Sequence, residues 1–200
     1  YPASLIVLVQ TNFAHQKYFD AKTPLFKHQL VGLTETIHAY NGSPIGPLVQ
    51  MDAAAKPDIV ILPGAFESVL PQSQSQHLLV KMANLITRLK SWHQQGSLVA
   101  SICTGNFLLA SADIAQGRPL TCHWASEQSA KGLFPNEIFD TEQLLIDHGD
   151  IVSAGGALAV AQLMLYLVAR CHSRELALVT GKLMMVEFNL DNQSRFAIFR

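Results

Sequence analysis

The segment Ala100-Ser101-Ile102-Cys103-Thr104-Gly105 decides the fold of this chain. It joins an apolar run at 97–103, typical of a strand buried on both faces, to a helical run that begins at Phe107. A nucleophilic residue stands at the junction, with small residues two positions before and two positions after it. This is the pattern of a nucleophile elbow, a strained turn that tolerates only small neighbours. It predicts that Cys103 lies at the carboxyl end of a parallel strand, where ligand sites of such sheets are found.

Strand and helix signals alternate along the chain. Apolar β-rich runs predict strands at 4–10, 59–62 and 97–103, a weaker strand at 44–51, and short extended segments near 119–122, 138–139, 144–146 and 151–152. Helical spacing predicts helices at about 23–39, 74–95, 107–112, 157–171 and 175–187, the second of them closed by Gly96 at its C′ position. These elements predict an α/β fold, a three-layer sandwich with a mostly parallel central sheet.

Composition limits the class of protein. The 200 residues are 49% hydrophobic and 14% charged, which fits one globular domain. Fourteen basic against fifteen acidic residues argue against a nucleic-acid-binding surface on this chain. Three cysteines and no visible signal peptide predict a cytoplasmic protein, and the longest apolar stretch, 157–169, is too short to span a membrane. The histidines lack metal-ligand spacing and there is no phosphate-binding glycine motif, so no metal and no cofactor are predicted.

Cys103 is the candidate nucleophile of the chain. The helix that follows it points free N–H groups at the sulfur and would stabilise a thiolate. The alternative is a small buried cysteine with a packing role, as most free cysteines have. Cys122, in a short extended segment, and Cys171, at a helix end, have no such surroundings and are predicted to be structural.

Two motifs together resemble the class I glutamine-amidotransferase-like (PfpI-type) superfamily, which implies a flavodoxin-like sheet. They are Ser101-Ile-Cys-Thr-Gly105 and Thr121-Cys-His-Trp124, which place a histidine about twenty residues after the elbow cysteine. The resemblance implies a pocket formed by Cys103, Thr104 and His123, with Trp124 at its rim. Since the histidine of this superfamily is often poorly oriented for a triad, His123 is interpreted as a pocket-lining residue with an optional catalytic role, or as a satisfied semi-buried histidine.

The same resemblance adds two further elements to the site. Asp20 stands four positions before Pro24, as an acidic residue does after the first strand of the family, which implies a carboxyl group that hydrogen-bonds the Cys103 sulfur. An N-cap for the first predicted helix is the competing role of Asp20. Pro63-Gly64-Ala65 stands where the family has a Pro-Gly-Gly turn, which implies oxyanion-hole N–H groups at Gly64 and Ala65.

One branch of the superfamily is resembled more closely, the N-terminal domains of AraC-type transcriptional regulators. The motifs are those at 101–110, 117–124 and 147–155, and the tail at 191–196, which is similar to the segment that joins such sensors to their DNA-binding half. The resemblance implies a sensor domain at 1–190, a linker that starts at 191–200, and DNA binding by a C-terminal helix-turn-helix domain absent from this chain. The first residue, Tyr1 rather than Met, also predicts a chain trimmed from a longer one.

The resemblance to AraC-type regulators implies a homodimer. The polar groups of the predicted pocket favour a small polar effector with an amine, amide or carboxylate. The predicted ligand-binding residues are Cys103, Thr104, Asp20, Gly64, Ala65, His123 and Trp124, of which Cys103, Asp20 and His123 are also the catalytic candidates. Departures from the family pattern favour a non-catalytic sensor: Ala65 replaces a glycine, 11–19 lacks a Pro-Gly-Phe run, and Gln162 replaces an acidic residue. The alternatives are a cysteine-dependent enzyme, such as an isocyanide hydratase or amidase-like hydrolase, and a redox sensor that oxidises Cys103.

Overall fold

The computed structural model describes residues 2–39, 42–64, 72–156 and 159–193. Its helices are α1 (Pro2–Tyr18), α2 (Gln72–Lys81), α3 (Ala83–Gln94), α4 (Asn106–Ser111), α5 (Glu127–Leu133), α6 (Ala159–Cys171) and α7 (Arg174–Met184). Its strands are β1 (Val31–Gly32), β2 (Ile37–His38), β3 (Pro44–Ile45), β4 (Val49–Gln50), β5 (Ile59–Leu62), β6 (Leu98–Ile102), β7 (Leu145–Asp147) and β8 (Ile151–Ala154).

A four-stranded sheet in the order β5-β6-β8-β7 forms the centre of the domain. Strands β5, β6 and β8 are parallel, and β7 runs antiparallel to β8 at one edge. Strand β6 is buried on both faces, which explains why its sequence is a nearly continuous apolar run. The prediction of an α/β fold with a mostly parallel sheet is confirmed.

Helices cover both faces of the sheet. On one face Val99 and Ile151 pack into a core with residues of α3 and α4, such as Leu89 and Phe107. On the other face Ala100 belongs to a second core, with residues of α1 and α6 such as Val7, Leu8 and Leu163. The alternation of Val99 and Ala100 between the two cores follows from the two-residue period of a strand. The arrangement is the predicted three-layer sandwich.

The prediction of a first strand at 4–10 is wrong, because this segment lies inside helix α1. Among its described side chains, α1 buries Ser4, Val7, Leu8, Thr11 and Ala14, which follow the i, i+3, i+4, i+7 spacing of one helical face. That face packs against α6 and α7. A short β-branched run does not distinguish a strand from a buried helix, and here the tertiary packing decides.

The predicted helix at about 23–39 is also wrong, because the segment forms two short strands. β1 pairs in parallel with β4, and β2 pairs antiparallel with β3. Leu33 and Ile37, placed on the apolar face of the predicted helix, are 47% and 44% exposed, so no core is available to them. The side-chain amide of Asn12 also fixes the backbone of Phe26, with two hydrogen bonds of 2.8 Å.

The remaining predicted elements are confirmed with small changes. The helix predicted at 74–95 is broken at Met82 into α2 and α3, and Gly96 follows α3 with a φ of +90°, the conformation of a C′ glycine. The extended segments near 119–122 and 138–139 meet in one parallel bridge between Leu120 and Phe139. Among the described residues, no helix combines the length and apolar character that crossing a bilayer requires.

The tail packs onto the domain at least as far as Gln193, whose side chain is only 2% exposed. Its backbone N–H donates to the carbonyl of Glu142, 2.9 Å away. The folded domain therefore extends beyond residue 190, the predicted boundary. Residues 194–200 lie outside the described ranges, so the linker and the DNA-binding domain remain predictions.

Candidate functional site

Cys103 occupies the predicted elbow. It follows the last residue of β6, begins a 3₁₀ turn that leads into α4, and has a φ of +57°. A non-glycine residue in this left-handed region is strained, and such strain is concentrated at functional sites. The local geometry that the sequence pattern predicted is therefore present.

Small residues at the elbow are explained by close backbone contacts. A Cβ atom on Gly105 would lie 2.4 Å from the carbonyl oxygen of Pro63 and 3.0 Å from that of Leu62. A Cβ atom on Gly64 would lie 3.6 Å from Cβ of Cys103 and 3.5 Å from Oγ1 of Thr104. The turn after β5 therefore borders the elbow directly, as predicted. Ala65 lies outside the described residues, and the oxyanion-hole role of Gly64 and Ala65 stays a prediction.

The pKa of the Cys103 thiol depends mainly on burial. Burial raises its pKa, and this effect outweighs the hydrogen bonds from the backbone N–H and the hydroxyl of Thr104, which lower it. The thiolate expected from the helix N-terminus is therefore not favoured, because removal from water disfavours the charged form. Burial also raises the pKa of Cys122 to about 12, which fits its predicted structural role.

His123 lies half-buried beside the carboxyl end of the sheet. Ile102 of β6 pairs with Ala154 of β8. Cys103 and Gly155 therefore follow the carboxyl ends of two adjacent parallel strands. A Cβ atom on Gly156 would lie 3.5 Å from Cδ2 of His123, which places the imidazole next to these strand ends. The Trp124 ring packs on the imidazole, with a centroid distance of 5.3 Å.

The hydrogen bonding of His123 indicates a hydrogen-bond donor rather than a general base. Its Nδ1 accepts the backbone N–H of Ala125 at 3.1 Å, so the neutral ring carries its proton on Nε2. Burial lowers the pKa of the imidazole, which keeps the ring neutral near pH 7. With Nδ1 engaged and Nε2 protonated, neutral His123 can donate a hydrogen bond to a ligand but cannot take a proton from the thiol.

The predicted place of Asp20 is wrong. Asp20 follows helix α1 instead of a first strand, it is exposed, and its φ is +52°. It therefore does not lie in a dry pocket, and it does not cap the N-terminus of a helix at 23–39, since no helix forms there. The error arises because the acidic residue of the family follows a first strand, whereas the segment before Asp20 forms α1.

Two residues at the site were not predicted. Asn106 is fully buried, and its amide donates to the carbonyl oxygens of Cys103 at 2.9 Å and Ala154 at 3.0 Å, joining the ends of β6 and β8. Its signal is a polar residue inside an otherwise apolar buried run. Gln193 contacts Gly155 from the tail, where the sequence shows no periodicity. Within the described ranges, no group of three His, Cys, Asp or Glu side chains is arranged to hold a metal ion.

The fold and the elbow agree with comparisons against known proteins. The sequence profile of the DJ-1/PfpI family matches residues 25–170. This chain belongs to the DJ-1/PfpI family. The resemblance to PfpI-type proteins drawn from the Cys103 and His123 motifs is thus confirmed. Helix α1 and Asp20 precede the part that matches the DJ-1/PfpI profile, whereas the elbow, His123 and the glycines after β8 lie inside it.

Several proteins that are similar to this chain are described as transcriptional regulators. The HTH-type transcriptional regulator GbdR of Pseudomonas aeruginosa is 30% identical over 102 residues, 51% of this chain and 28% of GbdR. CdhR, an HTH-type transcriptional regulator of the same species, is 27% identical over 139 residues, 70% of this chain and 38% of CdhR. The crystal structure of an AraC family transcriptional regulator from Pseudomonas putida has a TM-score of 0.66 and 17% identity, with 90% of this chain and 89% of that chain covered. The chain spans less than two fifths of the length of GbdR and of CdhR.

Proposed function

We propose that this chain is the ligand-sensing and dimerisation domain of a bacterial AraC-family transcriptional regulator, which works in the cytoplasm. The observation that carries the proposal is the similarity to GbdR and CdhR, two regulators of which it covers 28% and 38%. In this proposal a separate C-terminal helix-turn-helix domain binds DNA. The nearly neutral charge of the chain agrees with that division of labour.

The chemistry of the site supports binding without turnover. Burial holds the thiol of Cys103 in its neutral form, and neutral His123 offers a donor rather than a base. With the hydroxyl of Thr104 and the backbone at Gly64, these groups suit a small polar metabolite that carries an amine, an amide or a carboxylate. Trp124 supplies an apolar wall beside the imidazole.

Calorimetry with a panel of such metabolites tests the proposed sensor. We expect saturable binding of at least one compound, with no product detectable by mass spectrometry in the same samples. His123→Ala should weaken that binding about tenfold, since one good hydrogen bond in a dry site contributes about 1.4 kcal/mol. His77→Ala, which changes an exposed histidine of α2, is the matched control and should bind as the parent does.

The alternative function, cysteine-dependent catalysis, is favoured by the strained φ of Cys103. The rate of alkylation by iodoacetamide distinguishes the two functions, because only the thiolate reacts. In a Cys171→Ser background, which removes the exposed thiol, we expect the Cys103 rate to keep rising past the ordinary thiol pKa of 9.0. A plateau below pH 7, together with turnover of isocyanides or amides that Cys103→Ser abolishes, would establish the enzyme instead.

Dimerisation and DNA binding need separate tests. Sedimentation equilibrium should give twice the 21.9 kDa mass of the chain, as two-fold regulators that bind paired half-sites require. The coding sequence downstream of Arg200 should specify two helix-turn-helix units. A stop codon directly after Arg200 would contradict the regulator proposal and favour a stand-alone domain.

A further inference from the structure

Gln193 connects the candidate site to the C-terminal segment. Its amide nitrogen donates to Oγ1 of Thr121 at 3.1 Å, to the carbonyl of Cys122 at 2.9 Å and to the carbonyl of Gln143 at 3.0 Å. The side chain is 2% exposed, although it belongs to a segment without helix or strand. Thr121 and Cys122 directly precede His123, so the tail is tied to the strip of chain that carries the site histidine.

Gly155 and Gly156 provide a second connection between the same two places. A Cβ atom on Gly155 would lie 2.6–2.7 Å from three atoms of the Gln193 amide, so the amide fills the space that a side chain would occupy. A Cβ atom on Gly156 would instead lie 3.5 Å from Cδ2 of His123. Neighbouring residues of one turn thus contact the tail and the site histidine.

We infer that Gln193 is a latch through which the state of the His123 site controls the order of the C-terminal segment, an inference that rests on the proposed sensor function. A ligand that shifts His123 moves the 121–124 strip or the Gly155–Gly156 turn, and both hold Gln193. The latched state is also incompletely satisfied, because Oε1 of Gln193 is buried with no hydrogen-bond partner among the described residues. Such a group costs free energy, so a modest change at the site can release the tail.

Coupling of this kind is reciprocal, which gives a test without ligand or DNA. Amide hydrogen exchange of the protein is measured for Gln193→Ala and for Gly155→Ala, whose new Cβ evicts the glutamine. We expect exchange at the Gln193 position or its neighbours to accelerate about tenfold. Exchange of the Ala125 N–H, which donates to Nδ1 of His123, should accelerate in both variants. Conversely, His123→Ala should accelerate exchange at Gln193.

The control variant is Asp191→Ala, which removes contacts to Asn189 within the same tail and should leave Ala125 unchanged. Combining Gly155→Ala with Gln193→Ala should bring the stability back to that of Gln193→Ala alone, because the three atoms nearest to the new Cβ all belong to the glutamine side chain. Unchanged Ala125 exchange in both single variants, with Gln193 released, would overturn the latch while leaving the sensor proposal standing. Conversely, a latch confirmed by exchange in a protein that binds no metabolite would contradict the sensor proposal alone.

Discussion

Replacing Gly105 with alanine is expected to lower the free energy of unfolding by about 3 kcal/mol, at the upper end of overpacking effects. The new Cβ would lie 2.4 Å from the Pro63 carbonyl oxygen and 3.0 Å from that of Leu62. Both obstacles are backbone atoms at the end of β5, so relief requires the β5 turn to move away from the elbow. Denaturation by urea measures the loss directly.

The matched control for Gly105 is Gly96→Ala. Gly96 has a φ of +90°, but a Cβ atom there meets nothing within 4 Å. Its substitution therefore tests backbone strain alone, with an expected loss of about 1 kcal/mol. Equal losses in the two variants would mean that the elbow tolerates a side chain, and the steric explanation for Gly105 would be wrong.

Replacing Asn106 with alanine is expected to destabilise the domain by about 2–4 kcal/mol. The amide is fully buried and bonds the carbonyls of Cys103 and Ala154. Its removal leaves the Ala154 carbonyl without this donor, at about 1–3 kcal/mol, and takes one bond from the Cys103 carbonyl, which keeps the backbone N–H of Asn106, at about 1 kcal/mol. Since these carbonyls end β6 and β8, the substitution should also loosen the elbow. We expect faster alkylation of Cys103 alongside the lower urea midpoint.

Asn12→Ala is the comparison for Asn106. Asn12 also makes two hydrogen bonds to backbone, both to Phe26, but at a partly exposed place where water can replace it. The expected loss is about 1 kcal/mol. If Asn12→Ala proved as damaging as Asn106→Ala, burial would not be the reason for the importance of Asn106.

The central strands could be predicted because their signals are local. β5 and β6 are apolar runs bounded by clear turn residues, and the elbow pattern around Cys103 specifies its own geometry. The segments at 4–10 and 23–39 could not be assigned in this way. Whether Val7 and Leu8 lie in a strand or a helix depends on α6 and α7, which are more than 150 residues away in sequence. The Phe26 region depends similarly on Asn12.

The same distinction applies to the site. The motifs at Cys103, Gly64 and His123 lie where predicted strands end, and in the structure all three residues lie near the carboxyl ends of the parallel strands. Asp20 matches the family by its spacing to Pro24, but the first strand that should precede it does not form. Gln193 could not be predicted, because its contacts with Thr121 and Gly155 join positions 72 and 38 residues apart, without any repeating pattern.

The contact between Gly105 and Pro63 has a consequence for how this domain can evolve. At Gly105 the two turns meet through main-chain atoms of Pro63 and Leu62, so this contact does not depend on the side chains of the proposed ligand site. In the proposed sensor, we expect substitutions at His123 or Trp124 to alter which compound is bound without disturbing this contact. We therefore expect single mutations to change the specificity of the domain, while the steric constraint of this contact applies to Gly105 alone.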